Sequence, residues 1–428
     1  MCELSGLLLY EDISPIEFDK NKPMNSCYKF GIVKLLSEYW SKYTVRLDPI
    51  STRMVIVGDV HGDLNQFLPP LIASGVITLK SGDPLPIDKE MHLYLPRYEV
   101  NTETDIDVIY LGDLVDQGPS SREICLMMAD IMEKNKRVKL VLGNHDLNVI
   151  ALHGYKSPDI PSMLTAMWDS LKPETLELED VSVHGNIITP SNYAVKYFEC
   201  ESEALFRIFN LPTSGICFFD KELNSIISHT TITNKSINEL ITQRSRRDEK
   251  RLRERHLMEL SKEKWSEYSR EIQQSKVIDE KWCEMVNTLF KHSNCEYIHF
   301  NTLVYNRIDT EVIYNSIVGH TIGGVFRCKP LIVNPIPCLF DSERELHLTP
   351  TISEKTKMEV YYFDFSCSCM SPLNDVSRPD YVIVSRNNEF RLSYLPGLCI
   401  TYDFDGHLML IEFKGKTRFF GTKSITRI

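Results

Sequence analysis

Met54-Val-Ile-Val57 runs directly into Gly58-Asp59-Val60-His61-Gly62, and the reading of that junction decides the fold class. A short, mostly β-branched run closed by glycine reads as a strand buried on both faces. Working outward, four more apolar runs end in the same way. Val108-Ile-Tyr-Leu111 leads into Gly112-Asp113-Leu114-Val115-Asp116, and Val138-Lys-Leu-Val-Leu142 into Gly143-Asn144-His145-Asp146. Ser225-Ile-Ile227 leads into Ser228-His229-Thr230, and Ser316-Ile-Val318 into Gly319-His320-Thr321. Each of the five strand ends therefore presents Asp, Asn or His.

Helical patterns lie between several of these strands. Residues 63–74 and 121–134 are the clearest, the second with Ile124, Met127, Met128, Ile131 and Met132 at helical spacing. Strand, turn, helix, strand is the pattern of an α/β fold, whose ligands bind beyond the carboxyl ends of the strands. Residues 1–50 read as an N-terminal arm with one helix from about Tyr28 to Tyr43, its apolar face carrying Phe30, Val33, Leu35, Leu36 and Trp40. A domain over 51–385 follows, with a surface insertion at 80–107 and a helical insertion at about 235–290. The basic run at 243–256 reads as the solvated face of a long amphipathic helix, since Asp248, Glu249 and Glu254 are interleaved, or alternatively as a nucleic-acid or localisation patch. After Val360 apolar and polar residues alternate, which predicts an antiparallel β finish and a β-rich segment over 386–428 packed on the core.

Composition narrows the function classes. The chain has 428 residues, 43% hydrophobic and 25% charged, as in an ordinary globular protein rather than a disordered or fibrous one. Its 48 basic and 59 acidic residues give a net charge of −11, which argues against general binding to nucleic acid. Twelve cysteines are too dilute for a disulfide scaffold, and the Cys367/Cys369 pair has no second pair at zinc-finger distance. The start lacks the basic region of a signal peptide and its apolar run stops at Tyr10, and no stretch approaches the ~20 apolar residues of a membrane span. The expectation is a cytoplasmic protein with no membrane contact.

The residues at the strand ends form one chemical set. Carboxylates, imidazoles and an amide oxygen suit manganese, iron or zinc. Asp59 and His61 sit two apart, so a bending strand end aims both at one ion. Asn144, His229 and His320 supply a second ion, and Asp113, with two carboxylate oxygens, bridges the pair. Two ions 3.5–4 Å apart are a recurring device for phosphoester hydrolysis; they favour a bridging hydroxide at neutral pH and neutralise charge in the transition state. His145, beside a ligand position, is placed to protonate the leaving alkoxide. Asp116 could hold its imidazole or, alternatively, cap the helix that follows.

At these residues the chain resembles a known family. GDVHG (58–62), GDLVDQG (112–118), GNHD (143–146) and GHT (319–321) are similar to the motifs of the calcineurin-like metallophosphoesterases, and most similar to those of the serine/threonine phosphoprotein phosphatases and their bacterial relatives, among them the symmetrical diadenosine tetraphosphatases. The resemblance spans about Met54 to Ser366. It implies a four-layer α/β/β/α sandwich with helical and loop insertions. It also implies two divalent metal ions, manganese first and iron or zinc as alternatives: Asp59, His61 and Asp113 would hold one, and Asp113, Asn144, His229 and His320 the other. His145 with Asp116 would be the proton-donating pair.

The departures bear on substrate. Gln117 and Leu142 stand where the eukaryotic protein phosphatases carry phosphate-holding arginines, and His229-Thr230-Thr231 replaces His-Gly-Gly. Phosphate binding would then fall to Asn144, Gln117 and Arg122, or to a basic residue of 244–255. The expected function is a metal-dependent phosphomonoesterase acting on phosphoserine or phosphothreonine in proteins. The alternatives are hydrolysis of small phosphate esters or dinucleoside polyphosphates, and a binding protein that keeps the fold without turnover.

Overall fold

Thr52–Val57 (β1), Asp107–Tyr110 (β2), Val138–Val141 (β3) and Ser214–Gly215 (β4) run parallel, with Val55 opposite Val108 and Leu140 opposite Ser214. Their carboxyl ends therefore share one edge. The computed structural model describes residues 7–9, 33–34, 36–38, 40–41, 46–87, 94–115, 120–147, 204–242, 260–293, 311–322, 350–364, 381–393, 397–402, 408–413, 417–418 and 425–426. Asp116, Gln117, the Cys367/Cys369 pair, the basic run at 243–256 and most of the arm lie outside these residues.

A second sheet is formed by Cys217–Asp220 (β5), Ser225–Ser228 (β6), Ser316–Ile322 (β7), Thr351–Ile352 (β8) and Glu359–Asp364 (β9), in the order β5-β6-β7-β9-β8. β6, β7 and β9 are parallel, and the β7–β9 register shifts between Val318 and Ile322, the stretch that carries His320. β9 pairs antiparallel with β8 but parallel with β7, so the expectation of an antiparallel run from Val360 onward holds at Val360 on one side only. A fully antiparallel run starts at Tyr381–Ser385 (β10) and Phe390–Ser393 (β11), joined through the short Thr417–Arg418 (β12) to Ile425–Thr426 (β13). β10 also pairs antiparallel with β1, completing an eight-stranded sheet in the order β13-β12-β11-β10-β1-β2-β3-β4. Leu7–Leu9, Gly397–Tyr402 and Leu408–Phe413 form a separate three-stranded sheet. Within and just before the charged 80–107 stretch lie two short antiparallel pairings, Ile77–Leu79 with Tyr98–Val100 and Leu85–Pro86 with Tyr94–Leu95.

Strand alternation divides the core into layers. Met54, Ile56, Ile109, Leu111, Val141, Val382 and Val384 of the large sheet meet Ile227, Ile317 and Phe363 of the second sheet in one buried seam. Truncating an isoleucine in such a seam to alanine costs about 2–5 kcal/mol. The intervening residues, Val55, Val57, Val108, Tyr110 and Leu140, face the opposite way, in a cluster with Leu64, Phe67, Leu68 and Leu71 of helix Leu64–Ala73 (α1) and Ile124, Met128 and Ile131 of helix Ser121–Lys134 (α2). Both faces of the central strands are apolar for this reason. α1 carries Pro69 and Pro70 inside its length; each removes one backbone donor, a cost that packing of this face offsets.

The 235–290 segment is not one long helix in its described parts. It contains Asn234–Thr242 (α3), Lys262–Gln274 (α4) and Glu280–His292 (α5). Ser261 and Asp279 start α4 and α5 by capping: their side chains accept from the backbone N–H groups of Lys264 and Trp282. In the arm, residues 33–34, 36–38 and 40–41 are helical, with Val33, Leu36 and Trp40 buried. Cys125, Cys217 and Cys283 are buried and take part in no disulfide among the described residues. No helix among the described residues is long and apolar enough to cross a membrane.

Candidate metal centre and active site

The parallel strands deliver their ends to one place. Asp59 and His61 follow β1, Asp113 follows β2, Asn144 and His145 begin the helical residues 144–147 after β3, His229 follows β6, and His320 lies within β7. His61, Asp113 and His320 adopt left-handed backbone conformations, with φ of 48°, 49° and 57°. Such φ values are uncommon for side-chain-bearing residues and concentrate at functional sites. Two glycines are required by close approach: a Cβ on Gly112, itself at φ 109°, would lie 2.7 Å from His229 Nδ1, and one on Gly143 would lie 2.1 Å from Asp113 Oδ1.

Asp113 is the hub. Its Oδ2 lies 3.5 Å from His229 Nε2, 3.9 Å from His145 Nε2 and 4.0 Å from His61 Nε2. His61 Nε2 is also 3.9 Å from Asp59 Oδ2. Both carboxylate oxygens of Asp59 accept from the His320 backbone N–H, at 3.1 and 3.2 Å, joining the two sheets at the site. Two triads have ligand atoms within 4.8 Å of one another, His61–Asp113–His145 and Asp113–His229–His320, with Asp113 common to both.

The donor set fits metal ions. His229 Nδ1 lies 2.7 Å from the Leu111 carbonyl, which can only accept, so the proton sits on Nδ1. The lone pair on Nε2 then faces Asn144 Oδ1 and His320 Nδ1, each at 3.1 Å, as well as Asp113. An amide oxygen, a carboxylate and imidazole nitrogens turned on one another are an arrangement a cation resolves. A second hydrogen bond that fixes the tautomer of a ligating histidine is the usual supporting contact.

Electrostatics agrees with the geometry. Burial pushes the Asp113 carboxyl up, but His229, His145 and His61 outweigh it and hold the group well below the usual range. Burial lowers His229, whereas Asp113 and the Leu111 carbonyl raise it further, so its pKa ends above the ordinary value. His145 is set apart by access: its side chain is 24% exposed, against 11% for His61 and 0% for His229. Its ring stands edge-on to His61, with centroids 5.0 Å apart. His145 can therefore reach both the centre and the open side.

Asp59, His61, Asp113, Asn144, His145, His229 and His320, all singled out from sequence, are brought together. Arg122 is half-buried in the first turn of α2, whose start is tied to the His61 loop by the Ser120 N–H donating to the Gly62 carbonyl at 2.9 Å. Asp116 and Gln117 fall outside the described residues. Sequence reasoning assigned no role to Asp146. Its carboxylate is buried, accepts from the Leu114 and Gly143 backbone N–H groups, and is pushed up to about 7 by burial and by Asp113. The signal available was its place as the last residue of Gly143-Asn144-His145-Asp146.

Residues 52–284, more than half of the chain, match the model of the calcineurin-like phosphoesterase family. A symmetrical bis(5'-nucleosyl)-tetraphosphatase of Colwellia psychrerythraea is 32% identical over 107 residues, covering 22% of this chain and 36% of the relative. The chain spans about a third or less of the length of such curated relatives. Among solved structures, the cold-active protein-tyrosine phosphatase of a psychrophilic Shewanella aligns over 82% of this chain and 80% of its own, at 13% identity and a TM-score of 0.32. A protein serine/threonine phosphatase from Saccharomyces cerevisiae aligns over 50% of each chain, at 15% identity and a TM-score of 0.21. With the matched segment spanning the strand ends that carry Asp59, Asp113, Asn144 and His229, the chain belongs to the calcineurin-like phosphoesterase family.

Proposed function

We propose that the protein is a dinuclear-metal phosphomonoesterase acting on phosphoserine or phosphothreonine in proteins. The observation that carries this reading is the Asp113 carboxylate within 4.0 Å of three imidazoles, His61, His145 and His229, drawn from three different strand ends. Asp59, His61 and Asp113 would hold one ion, and Asp113, Asn144, His229 and His320 the other. Manganese is the leading choice, with iron or zinc as alternatives. When bound, two such ions supply Lewis acidity toward phosphate oxygens and generate a nucleophile from water at neutral pH.

The remaining roles belong to the chain. Asp113, kept ionised by its histidine neighbours, balances positive charge at the centre. The Leu111 carbonyl keeps the His229 proton on Nδ1 and turns Nε2 inward. His145, on the open side, donates a proton to the departing alkoxide, a role worth about 10²–10⁴-fold in rate. Asp116 is assigned the task of orienting that imidazole. Asn144, Arg122 and Gln117 are assigned to substrate phosphate; a neutral Gln117 makes weaker hydrogen bonds to phosphate than a guanidinium does.

A second reading, hydrolysis of dinucleoside polyphosphates, is favoured by the name of the Colwellia relative. The two readings separate in a substrate panel with manganese-loaded protein, comparing phosphopeptides, nucleotides and diadenosine polyphosphates by kcat/KM. Highest kcat/KM on phosphopeptides supports the first reading. Highest kcat/KM on diadenosine tetraphosphate replaces it with the second, and no turnover of any phosphate ester overturns both.

A further inference from the structure

We infer that Asp146 is a positioning residue that holds the Asp113 loop and the Asn144–His145 loop at a fixed separation; this rests on the functional reading above. The two loops end different strands, β2 and β3, and nothing in the pairing of those strands fixes how their ends approach beyond Tyr110 and Leu140. Asp146 supplies that link. One carboxylate oxygen accepts from the Leu114 N–H at 2.8 Å, next to Asp113, and the other from the Gly143 N–H at 3.0 Å, next to Asn144. The reverse link also exists, because Asp113 Oδ1 accepts from the His145 N–H at 3.0 Å. Each loop thus carries an acid whose acceptor is filled by the other loop's backbone. The clamp is drawn so tight that residue 143 has no room for a side chain against Asp113.

The side-chain chemistry is specific. Asp146 is fully buried, and its two donors point at two separate oxygens. Only a carboxylate offers acceptors on both prongs at this length; an asparagine would turn an NH₂ toward one of the backbone N–H groups, leaving two donors face to face in a dry site. Asp146 sits in the turn of the helical residues 144–147, with the Leu147 N–H donating to the Gly143 carbonyl, so tension on its carboxylate is transmitted to Asn144 and His145. A buried acid beside Asp113 is electrostatically costly, and the double acceptor role is what the fold gains for that cost. Outer partners of metal ligands are worth about 10–100-fold in metal affinity or activity.

The test uses full-length protein and two readouts. Manganese titrated calorimetrically into metal-free Asp146→Asn is expected to bind about 10–100-fold more weakly than to wild type. At saturating manganese, kcat on p-nitrophenyl phosphate is expected to fall at least several-fold with KM nearly unchanged. A folded Asp146→Asn with wild-type manganese affinity and kcat overturns the inference. Should that variant not fold, hydrogen exchange of metal-free wild type decides: protected Leu114 and Gly143 amides support the clamp, and exchange at unprotected rates overturns it. Wild type that binds no manganese would count against the functional reading, while the amide measurement still reports on the clamp without metal.

Discussion

Asp113 Oδ2 and His229 Nε2 stand 3.5 Å apart, with the far nitrogen of the imidazole committed to the Leu111 carbonyl. The pair joins the end of β2 in one sheet to the end of β6 in the other. Asp113 is 2% exposed at its side chain, so its charge is balanced from within the site rather than by water. Asp113→Asn tests that balance cleanly, because asparagine tolerates the left-handed φ of 49° that this position needs. The variant is expected to fold and to lose about 10³-fold or more in rate, since each factor of ten is about 1.36 kcal/mol. A near-wild-type rate with both metals retained would move the bridge elsewhere.

Two divalent transition metals per chain are expected on metal analysis of freshly purified protein, because Asp113 is shared by two ligand triads. Removing them with a chelator should abolish phosphate ester hydrolysis and lower Tm, as binding to the folded state alone stabilises it. One ion or none, with undiminished activity, would contradict this.

Lys291 on α5 gives a pH dependence away from the centre. Its ammonium donates to the Leu211 carbonyl and Ser214 Oγ, and burial depresses its pKa to about 8. Unfolded, the same amine titrates near 10.5. Between these values the unfolded chain binds more protons, so the stability due to this residue rises with pH and is lost as pH falls through 8. Denaturation of wild type and Lys291→Met at pH 7.5 and 9.5 should show the difference moving in favour of wild type at the higher pH. An unchanged difference would mean the amine is solvated.

The strand ends were legible because each is a short apolar run closed by glycine or serine, and because Asp59, Asp113, Asn144, His229 and His320 fall in the same place relative to a strand. A histidine such as His229 alone would have read as a core residue. What the sequence hides is non-local. Nothing around Tyr381 announces that β10 will insert beside β1, and nothing around Glu359 separates parallel from antiparallel pairing. The left-handed backbone of His61 and His320 is equally silent, since histidine, though enriched at positive φ, adopts it in only a small minority of cases. The break between α4 and α5 was readable after all, in Asp279 three residues before Trp282.

Gln117→Arg is expected to raise kcat/KM for phosphomonoesters modestly. A guanidinium makes bidentate, charge-assisted bonds to phosphate that a neutral amide cannot. A fall in kcat/KM with the fold intact would instead fit Gln117 to a different substrate, a diester or polyphosphate.

His145 separates metal binding from proton transfer. Its Nε2 is 3.9 Å from Asp113 Oδ2, close enough to join the His61–Asp113 cluster, yet its side chain is the most exposed of the three imidazoles around that carboxylate. As the proton donor, His145→Asn should leave both metals bound and lower kcat on alkyl phosphates by about 10²–10⁴-fold. The loss should shrink on p-nitrophenyl phosphate, whose leaving group needs little protonation. As a metal ligand, the same substitution would release an ion and reduce both rates alike. Rates on the two substrates, measured beside metal content, therefore decide between the roles. Equal losses with both ions retained would remove His145 from proton transfer and assign its imidazole to the packing against His61.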